Sequence, residues 1–325
     1  MQETTGTRRQ ERAIFALGSI NADFQVRVAR RPEISETLMA TDFMRLSGGK
    51  SANVAFLAAR LGVPARLFGR VGDDDLARQA LDPLREAGVD LAGVGTAAGA
   101  STAVSMIMVP PDGKKGIVLA ANANLVWDQR ATEAVEQAVR AAPAGSVLAT
   151  NCEIPEQVVH VAMQAAKQAG ITAILDPSPA DAAGDTLIAL AGIVVPNAGE
   201  ASHLTGIDCK DPRAAAEAGR RLLARGAKAA CVKLADGGCV LVSATLAVHV
   251  PAVTIAVTDT TGAGDAFAGA LAVAILEQKA LPDAVRFAVA ASHLAVTRYG
   301  SQPAYPRRAD IDALMQRLEA RNDVR

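Results

Sequence analysis

A chain of 325 residues, half of them hydrophobic and only 3% aromatic, is long enough to bury a large α/β core of Ala, Val, Leu and Ile, and it is not a disordered polymer. A formal net charge of -1, from 33 basic and 34 acidic residues, supplies no global field to recruit nucleic acid or an anionic membrane. Met1 to Arg12 is polar with no apolar signal core, and apolar stretches such as Leu187 to Pro196 are too short to span a bilayer, so a soluble cytoplasmic protein is expected.

The pattern settles at Ala13. Strand-like apolar runs occupy Ala13–Leu17, Ala65–Gly69, Val147–Thr150, Thr172–Asp176, Gly192–Pro196, Ala229–Leu234 and Cys239–Val242. Helical period lies between them. Val54, Leu57, Ala58 and Leu61 form one stripe, ended by Gly62 and Pro64; Leu76, Ala80, Leu84 and Ala87 form a second, closed by Gly88; Phe267, Ala270, Leu271 and Ala274 form a third. Strands alternating with helices predict βαβ units and a mainly parallel sheet covered on both faces. Two segments break this rhythm, Phe24 to Leu46 and Ala100 to Leu119, the second with alternation in Ser101–Met108 and a turn at Pro110–Gly113. Both read as β-rich excursions, suited to a small flap over a site. The cysteines (Cys152, Cys209, Cys231, Cys239) have no C-x-x-C spacing and the histidines (His160, His203, His249, His293) are scattered, so neither a zinc site nor a redox motif is suggested.

Chemistry concentrates in Thr258-Asp-Thr-Thr-Gly-Ala-Gly-Asp265-Ala-Phe-Ala-Gly269, where a strand-like run, Ala252–Val257, leads in and a helical run follows. Glycines allow close backbone approach, and a helix N-terminus aims unpaired N–H donors and a positive dipole end at one point, which makes an anion hole for a transferring phosphoryl group. Asp265 in the first turn reads either as a cap or as a general base; a cap alone needs no Gly-Ala-Gly before it.

This stretch, together with Gly48-Gly49-Lys50-Ser51-Ala52-Asn53 at the start of the first helix, resembles the paired signatures of the ribokinase-like carbohydrate kinases (phosphofructokinase-B type). The resemblance runs from about Ala13 to Ile311. It implies a three-layer α/β/α fold with a mainly parallel central sheet and a small β lid, in one domain over 13–315. The lid segments would be about 22–46 and 98–124, and the tails 1–12 and 316–325. It also implies transfer of the γ-phosphate of ATP to a primary hydroxyl of a small sugar, with ribose as the first expectation. Fructose, deoxyribose and a nucleoside are alternatives, and a non-catalytic sugar-binding protein is a distant one.

Residue by residue, the resemblance makes Asp265 the base and Gly262, Ala263 and Gly264 the anion hole. Asn21 and Asp23, with Gly49, Lys50, Asn53 and Glu153, would hold the sugar. Asn197, Lys233 and Gly238 would contact the nucleotide, and Glu200 would organise the water shell of Mg²⁺. Asp259, Thr261, Ala295, Arg298 and Gly300 would surround K⁺, mostly through backbone carbonyls. A homodimer through the lids is expected, with no nucleic-acid or membrane partner. Lys233 stands where ribokinases carry Thr, Ala235 where the family usually has Gly, and Ala304 where ribokinases offer a Ser hydroxyl. Several matches also have purely local readings: Asn21 and Asp23 as an Asx-turn, Glu153-Ile-Pro155 as a helix start, and Asn197 with Glu200 as a helix cap. A dinucleotide-binding fold is disfavoured, because only Gly18-Ser-Ile-Asn follows the first strand, and no Walker-type loop precedes Gly49-Lys50-Ser51.

Overall fold

The computed structural model describes residues 11–318; of the expected tails, residues 1–10 and 319–325 lie outside that range. The chain starts with β1 (Ile14–Leu17), β2 (Asn21–Arg27), β3 (Asp42–Gly48), α1 (Lys50–Arg60), β4 (Ala65–Gly72), α2 (Asp75–Glu86) and β5 (Asp90–Ala97). Next come β6 (Ala103–Val109), β7 (Gly116–Ala120), α3 (Gln129–Arg140), β8 (Val147–Asn151), α4 (Glu156–Ala169), β9 (Thr172–Asp176), α5 (Asp185–Leu190) and β10 (Ile193–Val194). It closes with α6 (Ala198–Thr205), α7 (Pro212–Ala224), β11 (Ala229–Lys233), β12 (Cys239–Ser243), β13 (Ala247–Val250), α8 (Ala263–Leu276), α9 (Leu281–Ala295) and α10 (Arg308–Met315).

Nine strands form one sheet in the order β13-β12-β11-β10-β9-β8-β1-β4-β5. It is parallel from β5 to β11, and only β12 runs against its neighbours. Alternation sends Ile14 and Ala16 to a core with α1, α2, α8, α9 and α10, and Phe15 and Leu17 to a core with α3, α4 and α5. Helices α6 and α7 extend the second layer over Val232, Val240 and Val242. This is the three-layer α/β/α arrangement, and because both faces are covered its central strands read as continuous apolar runs.

Most expected strands appear close to their expected bounds; the main differences follow, and the edge strand β13 also lies outside the expected set. The run at Gly192–Pro196 keeps only Ile193–Val194 as strand, although Gly192 and Val195 still donate to Ala173 and Leu175 carbonyls. Ala252–Val257 is not a strand: Pro251 offers no donor, Val253 gives its N–H to His293 Nε2 and not to a ladder, and the segment runs irregularly along the cavity rim. Strand β5 lies outside the expected set, since Gly93 and Gly95 interrupt its apolar alternation. Helix α8 is buried on nearly all sides rather than along one stripe, because it lies between the sheet, α1 and α9.

The two excursions meet in a separate four-stranded sheet, β3-β2-β6-β7. Its alternation is inverted for a surface sheet. Asn21, Asp23, Gln25 and Ser105 are buried toward the cavity, while Phe24, Val26, Phe43, Met106 and Val118 point away from it.

Candidate active site

One cavity of about 560 Å³ opens between this small sheet and the carboxyl ends of the parallel strands. Ligands in open α/β sheets bind at that end. Helix α8 begins there. Gly262, its N-cap, has φ 72° and ψ 4°, a left-handed conformation that suits glycine, and an added Cβ would lie 2.7 Å from Ser301 Cβ and Tyr305 Oη. Tyr305 Oη donates to the Gly262 carbonyl at 3.1 Å and fixes the turn. No side chain caps this helix, so Asp265 is not spent on its own helix end.

Instead Asp265, buried in the first turn of α8, accepts from Asn53 Nδ2 at 2.7 Å through Oδ2 and faces Lys50 Nζ at 3.7 Å through Oδ1. Asn53 is oriented in turn by Gln302 Nε2, which donates to its Oδ1 at 3.1 Å. The approach of α1 to α8 depends on Gly269, where a Cβ would meet Leu57 Cδ2 at 3.3 Å and Val54 Cα at 3.4 Å. Lys50 also pairs with Asp176 at 3.4 Å. Burial opposes its charge more than any other single influence, yet Asp176, Asp265, Glu153 and Glu200 together hold its pKa well above the ordinary lysine range.

The sugar-side candidates gather opposite. Asn21 Nδ2 donates to Ser105 Oγ at 3.1 Å and its Oδ1 accepts from Asn124 Nδ2 at 2.8 Å. Glu153 accepts from Ser19 Oγ at 2.6 Å, and Ser19 Oγ in turn accepts the Lys50 N–H at 2.9 Å, which ties the end of β8 to the start of α1. Burial raises the Glu153 pKa, against the pull of Lys50. Gly49 lines the same wall. Asp23 has one carboxylate oxygen buried without a partner. Burial raises its pKa to about 7; the Ser105 hydroxyl opposes the rise, and the carboxylates of Asp265 and Glu153 add to it. Neither Asn21 nor Asp23 forms an Asx-turn, since both lie within β2.

At the other end of the cavity, Asn197 and Glu200 form a reciprocal capping box on α6, with Glu200 N–H to Asn197 Oδ1 at 2.9 Å and Asn197 N–H to Glu200 Oε2 at 2.7 Å, while both also line the cavity. Lys233 Nζ points at the start of α8, where a Cβ on Gly264 would lie 3.4 Å from it. Gly238 is not among the lining residues: its N–H goes to Asp236 and its carbonyl to Leu234, and Gly237 takes the wall position. His293 receives the Val253 N–H on Nε2 at 3.3 Å, so its Nδ1 carries the proton and donates to the Val289 carbonyl at 2.9 Å.

Asp259, Ala295, Arg298 and Gly300 do not line the cavity, whereas Thr261 does. Asp259 is buried beneath it and ties two loops together: Oδ1 accepts from Thr261 N–H (2.8 Å) and Oγ1 (2.6 Å), and Oδ2 from Gly300 N–H (2.9 Å) and Gln25 Nε2 (2.6 Å). Ala295 and Gly300 are buried and Arg298 is exposed. Three ionisable lining residues escape motif reading: Asp176, Lys115 and His293. A signal existed for Asp176, an acid closing a strand at the carboxyl edge of a parallel sheet. None existed for Lys115, one of two adjacent lysines in a hairpin.

The pfkB carbohydrate kinase family profile matches residues 11–308. The chain belongs to the pfkB family of carbohydrate kinases. It is a sugar kinase, and ribokinases match it over most of its length. Ribokinase of Haemophilus influenzae is 30% identical over 299 residues, covering 92% of this chain and 97% of the relative. Ribokinase of Arabidopsis thaliana is 32% identical over 309 residues, covering 93% and 81%. The structure of Arabidopsis thaliana ribokinase complexed with ribose and ATP superposes with a TM-score of 0.81 at 30% identity, covering 94% of this pfkB kinase and 99% of that chain. Thermotoga maritima ribokinase matches likewise, with a TM-score of 0.81 at 27% identity.

Proposed function

We propose that this pfkB kinase transfers the γ-phosphate of ATP to the primary hydroxyl of ribose. The observation that carries the proposal is Asp265, held by Asn53 and Lys50 at the N-terminus of α8 and facing the polar floor of Asn21 and Asp23. Asp265 takes the hydroxyl proton. The sugar oxygen then attacks the γ-phosphorus as its bond to the β,γ-bridging oxygen breaks, and ADP leaves with that electron pair. The N–H groups of Gly262, Ala263 and Gly264 receive the developing charge, and Lys233 approaches the same point. The ribokinase names of the relatives support ribose as the acceptor. The test is ADP release with ATP and Mg²⁺ over pentoses, ketohexoses and nucleosides. Turnover is expected to be highest with ribose, and a clear preference for fructose or a nucleoside would overturn the choice of sugar.

Magnesium suits the nucleotide end, because it keeps most of its waters and needs few protein oxygens. Glu200, half-buried on the cavity wall with Oε2 in the capping box, fits a water-mediated contact. When bound, the ion would neutralise phosphate charge. Potassium suits the pair of loops joined by Asp259, where the carbonyls of Asp259, Thr261, Ala295, Arg298 and Gly300 would supply neutral oxygens. Ser301 Oγ, buried without a partner in the same turn, fits as a further oxygen where Ala304 has none. Activity in a bulky-cation buffer is expected to rise with millimolar K⁺ at fixed ionic strength, and less with Na⁺; a flat titration would leave these loops a structural role only.

Asp23 sets a pH dependence. Its folded pKa, about 7, lies above the ordinary aspartate value of 3.8. The folded ligand-free protein therefore keeps a proton that the unfolded chain gives up. Stability from this group is complete below about pH 4 and is lost as pH rises through about 7. Sugar hydroxyls favour the carboxylate, so sugar binding releases that proton. Sugar KM is expected to fall as pH rises from 5.5 toward about 7 and to level off above it. Asp23→Asn is expected to raise KM by about tenfold or more and to flatten this profile, with ATP KM nearly unchanged. A native KM in this variant would reduce Asp23 to a packing residue.

The apolar outer face of the small sheet, with Phe43 and Met106 more than half exposed and Val118 at 73%, fits a homodimer in which a second copy covers it. Light scattering is expected to give twice the chain mass at micromolar concentration, and a monomer would count against the arrangement.

A further inference from the structure

The hairpin turn between β6 and β7 reaches across the cavity mouth to the loop that precedes α8. Thr260 donates to the Gly113 carbonyl twice, from its N–H at 3.2 Å and from Oγ1 at 2.9 Å. In return Lys115 Nζ, on the residue immediately before the edge strand β7, donates to the Thr260 carbonyl at 2.8 Å. The same carbonyl also receives the Ala263 N–H, but at 3.4 Å. The lysine therefore holds the shorter bond to an oxygen that would otherwise draw on a donor of the α8 N-terminus. The turn is itself braced, by Gly113 N–H to the Pro110 carbonyl at 2.9 Å and by Arg31 Nη2 to the Lys114 carbonyl at 2.8 Å.

Lys115 also lines the cavity. Burial works against its charge and lowers its pKa, and the carboxylates of Asp265, Asp259 and Asp23 resist that fall. An ammonium with a long apolar stem can be placed there only if the hairpin lies over the site, because Lys115 enters from the lid sheet and not from the main sheet.

We propose that Lys115 is a positioning residue that latches the lid hairpin to the Thr260 carbonyl, so that a lid closed over the sugar and an α8 N-terminus arranged for phosphate are one state. The lysine acts through Thr260 and does not itself exchange a proton. The latch rests on the kinase reading above for its consequence in catalysis, but its existence can be tested without substrate.

Lys115→Met removes the donor and keeps the stem. Its kcat is expected to fall about 10–100-fold, the worth of one charged hydrogen bond, while sugar KM moves by less than about threefold. Lys115→Arg, which keeps a cationic donor, is expected to recover part of the loss. Thr260→Val removes the Oγ1 bond, one of the two that Thr260 donates to the Gly113 carbonyl. If the latch acts as a unit, the double variant Lys115→Met/Thr260→Val is expected to be little worse than the more damaged single variant. Hydrogen exchange on the ligand-free full chain reads the latch directly, and the amides of residues 258–264 are expected to exchange about tenfold faster or more in Lys115→Met. A kcat within about twofold of wild type, or losses that multiply in the double variant, would overturn the catalytic part of the proposal. Unchanged exchange over 258–264 would overturn the latch. Wild type that ignores ribose would instead sink the choice of sugar, and the exchange experiment would still decide the latch.

Discussion

Asp265→Asn is expected to lower kcat by about 10²–10⁴-fold, the usual contribution of a positioned general base, with a Tm close to wild type. The structural reason for the preserved fold is not capping, since Gly262 is the N-cap and no side chain caps α8. An Asn at this position still offers an oxygen to Asn53 Nδ2, and Lys50 still has Asp176 at 3.4 Å. What is lost is the capacity to accept a proton, together with one of the carboxylate charges around Lys50. Steady-state kinetics with thermal unfolding on the same preparation checks both halves. Near-native turnover would remove Asp265 from the chemistry, and a collapsed Tm would make it a structural residue.

Lys50→Met is expected to be the most destabilising single change in the site, by roughly 3 kcal/mol, the lower end for a broken buried ion pair because the lysine side chain keeps some exposure. It leaves Asp176, Asp265 and Glu153 near one another without their shared cation. The penalty has a sign in pH. Burial already raises the Glu153 pKa against the pull of Lys50, and without the ammonium that rise is unopposed, so Glu153 holds a proton in the folded state at a pH where the unfolded chain has released it and the variant gains stability relative to wild type as pH falls. Chemical denaturation at pH 5 and pH 8 checks this, with the deficit expected to be larger at pH 8. A deficit equal at both values would mean that lost packing, not charge, accounts for it.

Sequence and structure agree most closely where a local pattern determines a local geometry. The runs at Val147–Thr150 and Thr172–Asp176 are buried strands because β-branched and small apolar residues fill a sheet covered on both faces. Gly262-Ala263-Gly264-Asp265 is legible because a left-handed N-cap, close backbone approach and a first-turn acid each demand a residue type. Ala252–Val257 misleads because a strand-like apolar run becomes a strand only when its amides join a ladder, and Val253 donates to His293 Nε2 instead. Gly238 and Gly237 show a finer limit: a glycine pair marks a turn, but which of the two faces the cavity depends on how the turn closes against Asp236. Asp176 carries a positional signal, as an acid that closes β9 at the carboxyl edge of the sheet, whereas Lys115 meets the site from the lid hairpin through tertiary approach alone, and no spacing in the chain records it.

The most direct measurement is ³¹P–¹H correlation NMR on a mixture of the protein, ribose, ATP and Mg²⁺, which reads where the phosphate goes. A new phosphomonoester signal coupled to the C5 methylene protons is expected, growing in step with ADP, and absent over the same interval with Asp265→Asn. Coupling to the anomeric proton, accumulation of inorganic phosphate alone, or the same signal at the same rate with Asp265→Asn would contradict a ribose kinase that uses Asp265 as its base.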